Sequence, residues 1–105
     1  QVHAYTHLSH VYGQGSSIYT TYLFRLGDSY RQAMERWHKL KAAGANQIVA
    51  SGGTISHQHG VGRDHRDYLV AEKGELGLAA INSLCQLFDP ESQMNPSKLL
   101  PDELN

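Results

Sequence analysis

Histidine and tyrosine carry most of the reactive chemistry in this chain of 105 residues, which holds seven of the first and six of the second. His57 and His59 stand two apart in the run Thr54-Ile55-Ser56-His57-Gln58-His59-Gly60-Val61-Gly62. In an extended segment alternate side chains point the same way, so this spacing predicts two imidazoles entering one cavity with Gln58 directed oppositely. Imidazole titrates near neutral pH and can donate or accept, which suits proton shuttling and the binding of an anionic group. The flanking glycines let a backbone approach a ligand closely. For His-x-His-Gly taken alone, a polar loop with turn glycines is the commoner meaning.

Other residues add to this set or are set aside. His3, His7, His10, His57 and His59 could supply zinc ligands, but they lack a Cys pair and have no close carboxylate before Asp64. No metal is expected from that spacing. His38 and His65 read as solvated.

The positioning elements follow from pattern. Val2 to Tyr12 and Ser17 to Leu26 are rich in β-branched and aromatic residues around Gly13-Gln14-Gly15, which predicts a β-hairpin. Ile18, Thr20, Tyr22 and Phe24 share one face of the second strand and are expected to be its core side. Tyr19 lies on the other face, where it could reach a cavity, although a half-buried strand tyrosine is the commoner case. Ser29 with Gln32 has the form of a capping box. The apolar positions Tyr30, Ala33, Met34, Trp37, Leu40, Gly44 and Ile48 then predict a helix to about Ala50, stopped by Gly52-Gly53 and packed on the hairpin. Helical stretches are expected from about Asp67 to Lys73 and from Glu75 to Phe88, the second with Leu76, Ala80, Ile81, Leu84, Cys85 and Phe88 as its apolar face. Asp89-Pro90 ends it, and about 89–105 form an irregular tail. The fold class is α+β, a hairpin with packed helices.

Composition narrows the partners. Nine Lys and Arg stand against ten Asp and Glu, so no charge excess points to nucleic acid or an anionic membrane. No apolar run approaches the roughly 20 residues of a transmembrane helix, and no signal peptide opens the chain. The single cysteine, Cys85, is expected to be a small buried hydrophobe of a reducing, cytoplasmic compartment. The strand pattern starting at once without a Met suggests a cut edge. A two-stranded sheet is marginal alone, so further strands are expected from a missing part of the chain or from another subunit, and self-association into a homo-oligomer through strand edges or exchanged elements is expected.

Several segments occur together in order: Ser9-His10-Val11-Tyr12, Ser17-Ile18-Tyr19-Thr20-Thr21, Gly52 to Gly62, Asp89-Pro90 and Met94-Asn95-Pro96-Ser97-Lys98-Leu99-Leu100. This series resembles the C-terminal end of FAD-linked oxidases of the vanillyl-alcohol-oxidase superfamily, most closely the alkyldihydroxyacetonephosphate synthase family with its bacterial members. The resemblance implies that 1–105 is a single fragment, the C-terminal end of the cap domain, its tail returning toward a flavin domain outside the sequence. It implies FAD as cofactor and a small-molecule or lipid-like substrate, an acyl-dihydroxyacetonephosphate whose fatty acid is exchanged for a long-chain alcohol without net oxidation.

The resemblance also assigns roles. Tyr19 matches the family's proton acceptor, with His57 and His59 as its catalytic partners. Arg63, Gln58 and His10 fall on the substrate side, with Arg63 suited to a phosphate or carboxylate. Asn95 falls on the cofactor side. Gln58 stands where the family has a histidine, and an amide cannot carry a proton at neutral pH. FAD-linked 2-hydroxy-acid dehydrogenases share these segments but hold a metal through a Glu where Gln58 stands and a hairpin histidine near Tyr19; an amide and a phenol are poor substitutes around a divalent cation. A non-catalytic binding or oligomerisation module is the reading from a different class.

Overall fold

The computed structural model describes residues 1–56 and 59–104, the side chain of residue 103 excepted. They form two compact units, Gln1–His38 and Lys39–Asn105.

The first unit is built on an antiparallel hairpin of β1 (Val2–Tyr12) and β2 (Gly15–Phe24). Tyr12 pairs with Gly15, so the connection is Gly13-Gln14, and β2 begins and ends two residues earlier than the pattern suggested. The register runs His3 with Leu23, Tyr5 with Thr21 and His7 with Tyr19, then shifts between Leu8 and His10 so that His10 meets Ser17. This bulge re-aims a side chain. Simple alternation would put His10 opposite His7, whereas pairing with Ser17 returns it to the face of His7 and Tyr19.

The other face carries Val2, Ala4, Leu8, Ile18, Tyr22 and Phe24, the expected core side. It is apolar but not a core: Ile18 is 70% exposed and Leu8 61%. No described residue of the hairpin is buried. Two strands provide no second layer to cover either face, and Tyr30, the first residue of the helix stripe expected to pack on the hairpin, is 81% exposed.

The helix start matches its sequence signature. Helix α1 (Tyr30–Ala50) is entered through Gly27, at φ 91°, a left-handed conformation open to glycine. Ser29 Oγ accepts from Gln32 N at 3.3 Å, while Gln32 Oε1 accepts from Asp28 N at 3.1 Å. The capping box is thus present, with its return bond one residue further out. Arg36 Nη1 donates to the Arg25 carbonyl at 2.6 Å. At the other end Gly53 N bonds Ile48 O at 2.9 Å and Gly52 has φ 69°, a glycine-terminated helix end.

The second unit holds the core. Ala45, Ile55, Val61, Leu69, Leu78 and Leu100 are buried, with Tyr68, Ile81 and Leu104 packed against them. Only two of these six come from α-helices, α1 (Ala45) and α2 (Val70–Phe88, Leu78); the rest come from the connecting segment and the tail. A short 3-10 turn, Arg66–Tyr68, precedes α2, and Gly74 at φ 67°, ψ 168° kinks it. The kink separates the two expected helical stretches. Their expected apolar face is not the buried one: Leu76 is 85% and Phe88 81% exposed, Cys85 is exposed, and Leu78 is buried instead. Cys85 is therefore no core hydrophobe. At the end of α2 the Asp89 carboxylate accepts from Gln93 N at 3.0 Å and Met94 N at 2.7 Å, which folds the chain into the tail. A last 3-10 turn, Asp102–Leu104, closes the described part of the chain.

Candidate functional site

The hairpin presents one chemically active face. His3, Tyr5, His7 and His10 of β1 share it with Ser17, Tyr19, Thr21 and Leu23 of β2. His7 and Tyr19 are direct cross-strand partners with ring centroids 5.3 Å apart and planes tilted by 30°. His10 stacks on Tyr12 at 6.2 Å and its Nδ1 lies 3.3 Å from Ser9 Oγ. Tyr19 is 41% exposed, so its phenol is accessible. Among the described residues no three His, Cys, Asp or Glu side chains converge as a metal site.

The loop set belongs to the second unit. His57 and Gln58 lie outside the described residues; His59 is exposed. The loop is pinned at both feet. Upstream, Ile55 is buried to 2% exposure, and the Glu72 carboxylate takes the hydrogen bonds of its neighbours: Oε2 accepts from Thr54 Oγ1 at 2.8 Å, Ile55 N at 3.0 Å and Ser56 N at 3.3 Å, and Oε1 from Ser56 Oγ at 2.9 Å. Downstream, Val61 is buried, its carbonyl accepts from His65 N, and Gly62 O accepts from Leu99 N at 3.0 Å. Glycines 60 and 62 have φ 78° and 59°, which L side chains adopt at a cost.

The Lys73 ammonium, 2.8 Å from Oε1, is the foremost influence holding the Glu72 carboxyl down at about 2, with the Thr54 and Ser56 donors adding to it against the opposing effect of burial. Arg66 clasps the tail, Nη1 and Nη2 meeting the two Asp102 oxygens at 2.6 and 2.5 Å and Nη1 also reaching Ser97 O at 3.0 Å. This fork raises the Arg66 guanidinium and lowers the Asp102 carboxyl from their ordinary values. Arg63, exposed on the surface, is close enough to add to the lowering of Asp102.

One expectation needs correction, and two residues without one emerge. His65 is not simply solvated: it is half-buried, with Nε2 3.2 Å from Lys41 Nζ. Arg66 and Glu72, unremarkable in the sequence, are the principal polar anchors of this unit; beside the adjacent Asp67 and Lys73, their partners in the loop and the tail lie 16 to 36 residues away, and no local pattern marks those distant pairs. Asn95 is exposed with φ 51° and its carbonyl accepts from Lys98 N at 3.2 Å. A shallow cavity of about 320 Å³ is bounded by Gly52, Gly53, Thr54, Tyr68 and Glu72, and another of about 260 Å³ lies beside His3 and Phe24. Neither cavity includes Asn95.

Comparison with known proteins places the chain. An alkyldihydroxyacetonephosphate synthase of Trypanosoma brucei brucei is 30% identical over 95 residues, 90% of this chain and 15% of that protein. The Caenorhabditis elegans synthase is 26% identical over 93 residues, 89% and 15% respectively. A mitochondrial D-2-hydroxyglutarate dehydrogenase of Danio rerio is 38% identical over 53 residues, 50% of this chain and 10% of that protein. The chain thus spans about 15% of the length of the synthases it matches. No solved structure matches it significantly. The family model for FAD linked oxidases, C-terminal domain, matches residues 1–99, and the chain belongs to that family.

Proposed function

We propose that this chain is the substrate-side, C-terminal part of an FAD-dependent enzyme that exchanges an alkyl for an acyl group on a dihydroxyacetone phosphate ester. The observation that carries the reading is Tyr19 on the exposed histidine face of the hairpin, directly across from His7. The synthase relatives cover 89% and 90% of the chain where the dehydrogenase covers 50%, which favours the exchange reaction over 2-hydroxy-acid oxidation. A flavin, held mainly by a domain outside this chain, would supply the group that carries the substrate. Asn95 is the proposed cofactor contact from this chain.

The roles follow side-chain chemistry. As Tyr19 Oη accepts the substrate proton, its own phenolic proton passes to His57 or His59, which hold or return it at neutral pH. Arg63 offers a planar, permanently charged donor set to the phosphate. Gln58 and His10 orient the substrate by hydrogen bonds. The chain alone is inactive, and the assembled enzyme is a cytoplasmic homo-oligomer.

Tyr19→Phe in the full-length protein tests the assignment. It removes one hydroxyl, and loss of a positioned acid or base lowers a rate by about 100-fold to 10,000-fold. The expected result is a native flavin spectrum with collapsed exchange of labelled hexadecanol into palmitoyl-dihydroxyacetone phosphate. Wild-type turnover in that variant would return Tyr19 to a packing role. Turnover of a 2-hydroxy acid by the unmodified protein, with none of the ester, would favour the dehydrogenase reading.

A further inference from the structure

We propose that Glu72 is a positioning residue for the histidine loop, acting on the site through the backbone of Thr54–Ser56 and never on the substrate itself. The inference rests on the reading that His57 and His59 serve the reaction. Its basis is the set of donors that meets one carboxylate. Oε2 accepts from Thr54 Oγ1, Ile55 N and Ser56 N, at 2.8, 3.0 and 3.3 Å; Oε1 accepts from Ser56 Oγ at 2.9 Å and Lys73 Nζ at 2.8 Å.

Those five donors saturate the group. A carboxylate offers about four lone-pair directions, so none remains for a substrate, a proton or a metal. Its chemistry is consumed by the loop. Four of the five donors belong to three consecutive residues, Thr54 to Ser56, that lie in no helix or strand, where backbone amides lack a ladder and need another acceptor. Glu72 supplies it for two of them, and Ile55 between them is driven into the core at 2% exposure. The segment is thereby held by a charge on one side and by burial on the other. Ser56 is the residue that precedes His57, and Glu72 holds the chain up to that point.

Glu72 is itself well placed for this. It lies in the single helical turn between Leu69 and the Gly74 kink, with Glu72 N bonded to Leu69 O at 3.0 Å and Leu69 1% exposed. The carboxylate is therefore mounted on an anchored turn. An acceptor on a floppy element would transmit no position.

The test uses the full-length flavoprotein with Glu72→Ala, Glu72→Gln and unmodified protein side by side, read first by amide hydrogen exchange of the peptide spanning 55–62. Glu72→Ala removes every acceptor and should speed exchange there by about tenfold or more, while 75–88 exchanges as before. Glu72→Gln keeps one carbonyl oxygen and should restore most of the protection. Turnover of palmitoyl-dihydroxyacetone phosphate should fall in the same order, mainly in kcat, since displaced catalytic groups cost rate more than affinity. Exchange of 55–62 in Glu72→Ala that stays at the unmodified level overturns the proposal, as does loss of protection spread evenly over the whole protein. If the unmodified protein lacks this turnover, the functional reading fails, and the exchange result alone decides whether Glu72 holds the loop.

Discussion

Arg66 faces Asp102 in a two-pronged pair, each guanidinium Nη meeting its own carboxylate oxygen at 2.6 and 2.5 Å. The pair joins the segment after the histidine loop to the last turn of the chain. Arg66 is only 14% exposed at its side chain, whereas Asp102 is 61% exposed, so the pair is open to solvent on one side and should weaken with salt.

Asp102→Ala is therefore expected to loosen the tail without unfolding the unit, because Leu100 remains buried beneath it. Limited proteolysis of the full-length protein should cut after Lys98 faster in the variant, and high salt should narrow the difference from the unmodified protein. Because the Asp102 carboxyl is lowered by Arg66, its contribution is present above the carboxyl's unfolded value and disappears as pH falls through the lower, folded one. Equal cleavage in both proteins would show that Leu100 suffices to hold the tail.

Glu72 supports a sharper acid dependence. Its carboxyl goes from 4.5 in the unfolded chain to about 2 when folded, a difference worth about 3 kcal/mol in the limit. The Lys73 partner is 43% exposed, so solvent screening brings the figure nearer to about 2 kcal/mol. A depressed carboxyl stabilises fully above its unfolded value, so this contribution is complete above about pH 4.5 and is lost between there and about pH 2. Denaturant midpoints measured across that window should drop for the unmodified protein more steeply than for Glu72→Gln. Parallel curves would contradict the assignment.

Much of this was readable from residue pattern, and the exceptions share a physical cause. Hairpin, capping box, glycine helix stop and the break near Gly74 are local, set by residues within a turn of one another. The buried face of α2 and the exposure of Cys85 are not local. Leu78 is buried in one cluster with Ile55, Val61 and Leu100, residues from a loop and a tail that carry no helical period, so periodicity within α2 could not choose it over Leu84. The bulge at Ser9 also escapes alternation, which is why the face of His10 needed the strand register. The place of Tyr19 on the histidine face followed from strand alternation; the bonds of Glu72 to Thr54–Ser56 and of Arg66 to Asp102 did not.

Gly74 offers a test of the kink that carries Glu72. Its φ 67°, ψ 168° lies in a region essentially reserved for glycine, and an added Cβ there would meet nothing within 4 Å. Gly74→Ala should thus cost about 1–3 kcal/mol from backbone strain alone. Gly27→Ala meets strain and collision together, since its Cβ would come within 2.5 Å of Gln32 Oε1 and 3.2 Å of Arg36 Cζ. Thermal unfolding should rank Gly27→Ala below Gly74→Ala. The reverse order would mean that Gln32 and Arg36 move aside freely.

The pairing of His7 with Tyr19 gives the last prediction. Cross-strand ring pairs contribute roughly 0.2–1 kcal/mol, so His7→Ala should leave the fold nearly as stable as before. Its effect should appear in turnover. With rings 5.3 Å apart and tilted by 30°, the imidazole lies against one side of a phenol that is 41% exposed, and it limits the orientations that phenol can take. Removing it frees the phenol proposed as proton acceptor to leave that geometry, a displacement that can lower a rate by about tenfold to 100-fold. His7→Phe keeps a flat ring of similar reach and discards the titratable nitrogens. We expect His7→Phe to recover most of the activity lost in His7→Ala, with both variants folded and both showing the native flavin spectrum. If the two are equally inactive, the imidazole nitrogen itself takes part in the proton path, and His7 joins Tyr19 as a catalytic residue.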